Sequence, residues 1–261
     1  MPTTRTALVP ALACAVLAQG LAAQEASLDQ IHPRTSITLG LGIGDQDVEN
    51  NTGTGIASRS TDAFHIRLRG EHFFQSDFGF FANVYLGLAD DINQDAGSSD
   101  SSFDSFGIFL AASYRATMGE RFRLPVRFGP FIQSSEEDDS AFPDGAIERG
   151  IIGVRLSAEP EVILSQTVSN GKVTEISAFA EFGCGAGPAK VEDDVDDEDA
   201  YAFTLSWEVG MRYRFSNGVM AGLSWYAQKN HIGTTESYNN VAFFGVDDDF
   251  TGIMVTAGLR F

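Results

Sequence analysis

Apolar residues fall on alternate positions along most of the chain. The last stretch, TGIMVTAGLRF, sets Ile253, Val255, Ala257, Leu259 and Phe261 against Met254, Thr256, Gly258 and Arg260. That period of two marks a strand with one apolar and one polar face. The same alternation runs through 37–43, 64–68, 78–88, 106–114, 122–132, 152–162, 176–184, 201–213 and 219–227. The pattern predicts an all-β chain of about ten antiparallel strands, and boundary shifts of a few residues keep eight or twelve open. Pro125 and Pro160 interrupt two of the segments. Each removes a ladder N–H, so a bulge or shortened pairing is expected there.

Charge sorts with parity. No charged residue falls on the apolar faces. The opposite faces carry Arg67, Arg69, Arg123, Arg127, Arg155, Arg212 and Arg214, joined by Arg115, Arg149 and Arg260. They also carry Glu71, Glu181 and Glu208, joined by Glu159, Glu161 and Glu175. An arginine on the lipid face of a transmembrane strand costs about 2–4 kcal/mol at mid-bilayer, which gives the sorting a physical cause. A soluble sandwich has no reason to prefer Arg over Lys on its outer face. The lysines, Lys172, Lys190 and Lys229, are expected in connections. Those connections alternate in length. Short ones lie at 75–77, 117–121, 166–172 and 216–218, and long ones near 44–62, 89–104, 134–148, 187–200 and 228–250.

The N-terminus reads as an address. Residues 1–23 hold one basic residue, Arg5, then an apolar run too short to span a membrane, then small residues, the layout of a secretory signal peptide. Residues 24–33 are expected to be an irregular periplasmic leader, and 34–261 the barrel. After cleavage Cys184 is alone, which excludes an intramolecular disulfide.

Together these features resemble the bacterial outer-membrane β-barrel proteins, of the small-barrel class. The resemblance implies an antiparallel transmembrane β-barrel with short periplasmic turns and long external loops. It also implies that Ile253, Val255, Ala257, Leu259 and Phe261 form the signal read by the barrel-assembly machinery. The expected surroundings are outer-membrane lipid and lipopolysaccharide, and the expected state is a monomer.

The net charge is −19, and its location matters more than its size. Acids concentrate in the long connections, at 90–95, 136–139, 192–199 and 247–249, with Asp45, Asp47 and Glu49 in the first. Few bases answer them, so nucleic acid is not expected as a partner. Such loops can be merely solvated, or can hold Ca2+ loosely, since calcium accepts several carboxylates in flexible arrangements. Asp193, Asp194, Asp196 and Asp197 are weak candidates. No EF-hand spacing is present, because position 12 after Asp45 is Ile56. No cofactor is otherwise expected.

Ten strands enclose a tube narrow enough for side chains to fill. Arg67, Arg69, Arg123, Arg127, Arg155, Arg212 and Arg214 with Glu71, Glu181 and Glu208 are therefore expected to interlock as a plug, with His65 joining them. The alternative is a narrow, anion-preferring passage lined by the same arginines. A surface hydrolase is the second alternative. Omptin-type proteases resemble the chain in strand count, but the Asp-x-His spacing is missing around His231. Lipid A deacylases use a Ser–His pair, for which only His231 and Ser237 are candidates. General acid–base work needs its groups in reach of one another, and no spacing here indicates that. The reading is a non-enzymatic barrel with a structural or surface-interaction role.

Overall fold

A computed structural model of the chain describes residues 34–52, 55–74, 77–90, 101–139, 147–169, 172–192, 197–234, 237–238 and 241–260. Residues 1–33, where a signal peptide and leader are expected, and Asp91, Asp193, Asp194, Asp196 and Phe261 lie outside the described residues. Twelve strand segments follow one another: β1 (Thr35–Thr52), β2 (Gly55–Phe73), β3 (Phe78–Asp90), β4 (Ser101–Met118), β5 (Phe122–Asp139), β6 (Ile147–Ala158), β7 (Glu161–Ser169), β8 (Lys172–Glu192), β9 (Asp197–Arg214), β10 (Val219–Thr234), β11 (Ser237–Tyr238) and β12 (Val241–Arg260). β6 and β7 are two halves of one stave, and β11 is a short ribbon on the end of β12. The barrel therefore has ten antiparallel staves, closed where β12 pairs with β1 from Ser36 through Thr52.

Both prolines behave as backbone chemistry requires. The stave breaks at Glu159–Pro160, and the Glu159 N–H turns to the Pro125 carbonyl of β5 at 2.9 Å. Pro125 itself keeps its place opposite Arg115. A bulge between Ile163 and Ser165 absorbs the remaining mismatch with β8. The tight turns at the opposite end from the long connections rest on Gly119 (φ 62°) and Gly218 (φ 84°), in the left-handed region that glycine enters without strain.

Outward positions form an apolar belt. Leu41, Ile43, Phe80, Leu110, Phe128, Ile152, Leu223 and Val255 all lie on the outer surface, and Leu110 is 51% exposed. A face this wide and apolar calls for lipid rather than water. Ile253, Val255, Ala257 and Leu259 belong to it. They pair with Ile43, Leu41, Leu39 and Ile37 on one side and with Trp225, Leu223, Ala221 and Val219 on the other.

Crossing a bilayer takes about 9–11 tilted residues per strand. β1 has 18 residues and β8 has 21, so the staves continue well beyond the belt. This corrects the expectation of long loops: much of 44–62, 134–148, 187–200 and 228–250 is paired strand. Lys190 and Lys229 sit within β8 and β10, and Lys172 opens β8, rather than in connections. In the extension the two faces exchange character. Val48, Phe103, Val191, Ile232 and Val246 are buried inward. Asp45, Asp47, Asp62, Asp104, Glu136, Glu148 and Asp199 face outward on the same staves. A sequence reader following apolar parity loses the strand at that reversal.

Leu110→Arg, in the middle of the belt, is expected to lower stability by about 2–4 kcal/mol. Asp104→Arg, on the same face of β4 but above the belt, is expected to shift it by less than about 1 kcal/mol. Urea unfolding of protein refolded into lipid vesicles measures both.

Candidate functional site

Strand alternation turns one side chain in two toward the barrel axis, and most of the inward charges meet there. The lowest tier lies near the tight turns. Arg123 on β5 donates to Glu161 at 3.1 Å and to Glu175 at 2.6 Å. Arg260 at the end of β12 reaches the same two carboxylates, at 2.7 and 3.4 Å. Ser177 adds a hydrogen bond to Glu161 at 2.8 Å. Arg214 is buried beside this group, in register with Glu175.

A middle tier crosses the lumen. Arg127 grips Glu71 through Nε and Nη2 at 2.8 and 2.9 Å and Glu159 through Nη1 at 3.1 Å. Arg212 also pairs with Glu159, and its guanidinium lies 3.5 Å from the centre of the Phe179 ring. Arg67 donates to Glu208 at 2.9 Å. Glu181 and Glu208 stand directly opposite each other on β8 and β9. Facing like charges destabilise a sheet. Arg69, projecting from β2 across the lumen, pairs with Glu181 and lies 3.4 Å from Glu208. One guanidinium thus holds the two carboxylates together. The planar fork of arginine suits this sharing, and the compact ammonium of lysine does not.

Above the ions lies a layer of neutral polar groups. Tyr226 donates to Gln228, whose amide donates to Tyr85 at 3.1 Å and to Gln133 at 3.2 Å. Gly107 faces Tyr85, and a Cβ there would fall 2.1 Å from the ring. Phe81, Phe109 and Phe131 fill the remaining width. Arg155 donates to Ser206 and lies 5.6 Å from the Phe109 ring centre. Among the described residues the lumen includes two small cavities, of about 20 and 50 Å3.

The extension carries a last polar cluster under its apolar cap. Asp248 is buried and accepts from Gln46 and from Asn230. Arg149 pairs with Glu137 nearby. His65 does not join the arginine–glutamate network as expected. Its ring stacks on Phe250 at 3.5 Å, and its Nε2 has no hydrogen-bond partner. Gln46, Gln133, Gln228, Asn230, Glu137 and Asp248 were not singled out by sequence, being neutral or placed in stretches read as connections. Arg260, Glu159, Glu161 and Glu175 prove as central to the tiers as the residues picked out for the plug.

The outer wall of the extension holds the remaining chemistry. Asp45 faces Asp62, Asp47 faces Asp249, and Glu49 faces Asp247 across adjacent strands. Lys229 pairs with Asp249, and His231 Nδ1 lies 2.6 Å from Asp247. Both pairs point away from the lumen. Asp197 opens β9 opposite Glu192 in the ladder, and Ser237 belongs to β11. Among the described residues no group of three or more His, Cys, Asp or Glu is close enough to hold a metal ion.

No family model matches the sequence, and no curated protein matches it. Solved structures do resemble the fold. The outer membrane protease OmpT from Escherichia coli superposes with a TM-score of 0.53 at 8% identity, over 92% of this chain and 99% of that one. The transport unit of the autotransporter AIDA-I from Escherichia coli gives 0.43 at 8% identity, over 95% and 96%. Ail of Yersinia pestis gives 0.32 at 10% identity, over 87% and 99%. At such identities the likeness concerns the fold alone.

Two outcomes follow from these contacts. Arg69→Ala is expected to cost about 3–5 kcal/mol, because it leaves facing carboxylates uncompensated. Adding Glu181→Gln should recover part of that loss, read as urea midpoints of the single and double variants. Asp248 lies above the apolar belt, where burial raises its pKa from 3.8 to about 6, while Arg149, Asn230 and Gln46 pull it down and Asp249 pushes it up. The folded chain holds this proton more tightly than the unfolded chain. Its contribution to stability is therefore full below about pH 4 and lost as pH rises through about 6. Asp248→Asn is expected to match the parent in acid and to exceed it by about 1–3 kcal/mol above about pH 7, in urea titrations across that range.

Proposed function

We propose that this chain, which has the fold of an outer-membrane β-barrel, serves as a small, closed barrel of the bacterial outer membrane with a structural or surface-interaction role. The observation that carries the reading is the filled lumen. Arginine–glutamate tiers, an amide and phenol layer and an apolar cap occupy the bore in succession. Two cavities among the described residues, of about 20 and 50 Å3, have room for one or a few water-sized particles each, which supports a filled bore more than a continuous passage. A plug of this kind holds the wall rigid and leaves the outer rim as the working surface.

That rim supports contact with lipopolysaccharide. Its facing carboxylates would accept divalent cations such as Ca2+ shared with lipid phosphates, as hard cations with several oxygen ligands favour. The outward turn of His231 and its pairing with Asp247 fit a surface role better than hydrolysis within a groove. A narrow anion path is the second reading, favoured by Arg155, which has no carboxylate partner among the described residues.

Planar-bilayer recording decides between them. The refolded mature chain is expected to be electrically silent, and Arg127→Ala or Arg212→Ala to introduce a leak. Steady, anion-selective openings of the parent chain would favour the path, and then the same substitutions would change selectivity instead.

A further inference from the structure

The middle tier is balanced. Arg67, Arg69, Arg127 and Arg212 are met by Glu71, Glu159, Glu181 and Glu208. Arg155, just above, is not. Among the described residues its guanidinium meets only the Ser206 hydroxyl and the face of Phe109. It borders the lumen cavity of about 20 Å3 together with Arg67, Arg69, Asn83, Glu181 and Glu208. The charges at that cavity are three guanidinium groups against two carboxylates.

Donors there are also unsatisfied. Arg67 is 4% exposed, and its Nη1 has no hydrogen-bond partner, nor has Nε of Arg69; Glu208 Oε2 also lacks a hydrogen bond but lies 2.8 Å from Arg67 Nη2, whose charge answers it. The Asn83 amide oxygen is likewise unpartnered, and turning the amide over would present its NH2 instead. Buried donors without acceptors cost about 1–3 kcal/mol each, more when charged. A water molecule could accept from one or two of them but would leave the surplus positive charge uncompensated in a low-dielectric bore. The space suits a single small particle, and phosphate or sulfate exceeds it. Phe109 and Phe131 also line the wall.

We propose that this mid-lumen cavity is a binding site for one monovalent halide, such as chloride, held by Arg155, Arg67 and Arg69. The anion completes the charge balance of the plug. The Gln228–Gln133–Tyr85 layer bounds the cavity toward the extension.

Crystals of the refolded protein grown in sodium bromide test this by anomalous diffraction. A bromide peak in contact with the Arg155 guanidinium is expected, and the Arg155→Gln variant should lose it. In solution the parent should unfold several-fold more slowly in chloride than in gluconate, and Arg155→Gln at one rate in both. An anomalously silent cavity in the parent overturns the proposal, as does a peak that survives Arg155→Gln. Should the variant fail to fold, the parent crystal and its salt dependence still decide. The sealed-lumen reading fails separately: an anion current accompanied by the bromide peak would overturn that reading and leave the site intact.

Discussion

A charge cannot face hydrocarbon, and in a barrel this narrow it cannot face bulk water from the inside either. Every arginine excluded from the apolar belt must therefore find its partner within the bore. That single constraint explains why inward arginines meet glutamates in tiers and why few are left to one contact. It also explains the choice of arginine over lysine. Glu161 is shared by Arg123 and Arg260, and Arg69 spans Glu181 and Glu208. A rigid fork of five donors is well suited to serve two carboxylates at once. Because breaking one buried pair strands its partner, the tiers act as a unit.

The constraint also governs register. Side chains alternate faces, so a slip of one residue would exchange Arg67 and Arg69 with Ile66 and Leu68. Guanidinium groups would then face lipid, while the bore lost its partners. Within the staves, breaks fall at Pro160 and at the bulge beside Ile163, and one more lies far up the seam between Asn51 and Thr52. Glu159 and Glu161, on either side of the proline, still both point inward.

Much of this was legible in the sequence because belt and lumen differ in a way that a period of two exposes. The strand count, the outward set in β12 and the inward parity of the arginines all follow from it. The extension was not legible, for a physical reason. Above the belt the outer face meets water and turns acidic, while the inner face, beside its small cluster around Asp248, Arg149 and Glu137, turns apolar at Val48, Ile232 and Val246. Alternation persists but its sign reverses, and an acidic run such as that around Asp247 then looks like a loop. His65 was misplaced for a different reason. Parity gave its direction, but the ring that it stacks on, Phe250, comes from that same misread stretch. The register of Glu181 against Glu208 was equally out of reach, since cross-strand pairing is set by turns and bulges that parity does not report.

The seam between β1 and β12 has a consequence for the order of events during assembly. Arg260 ends β12 and completes the carboxylate pair that Arg123 holds from β5. Until the first and last staves meet, Glu161 and Glu175 lack that guanidinium, and an open sheet would turn its charged face toward lipid. The inner surface is thus stable only as an enclosed one. Partial barrels have nowhere favourable to rest, so hairpins must enter with their inner faces already turned toward each other. Enclosure of the bore and neutralisation of its charges are thereby coupled.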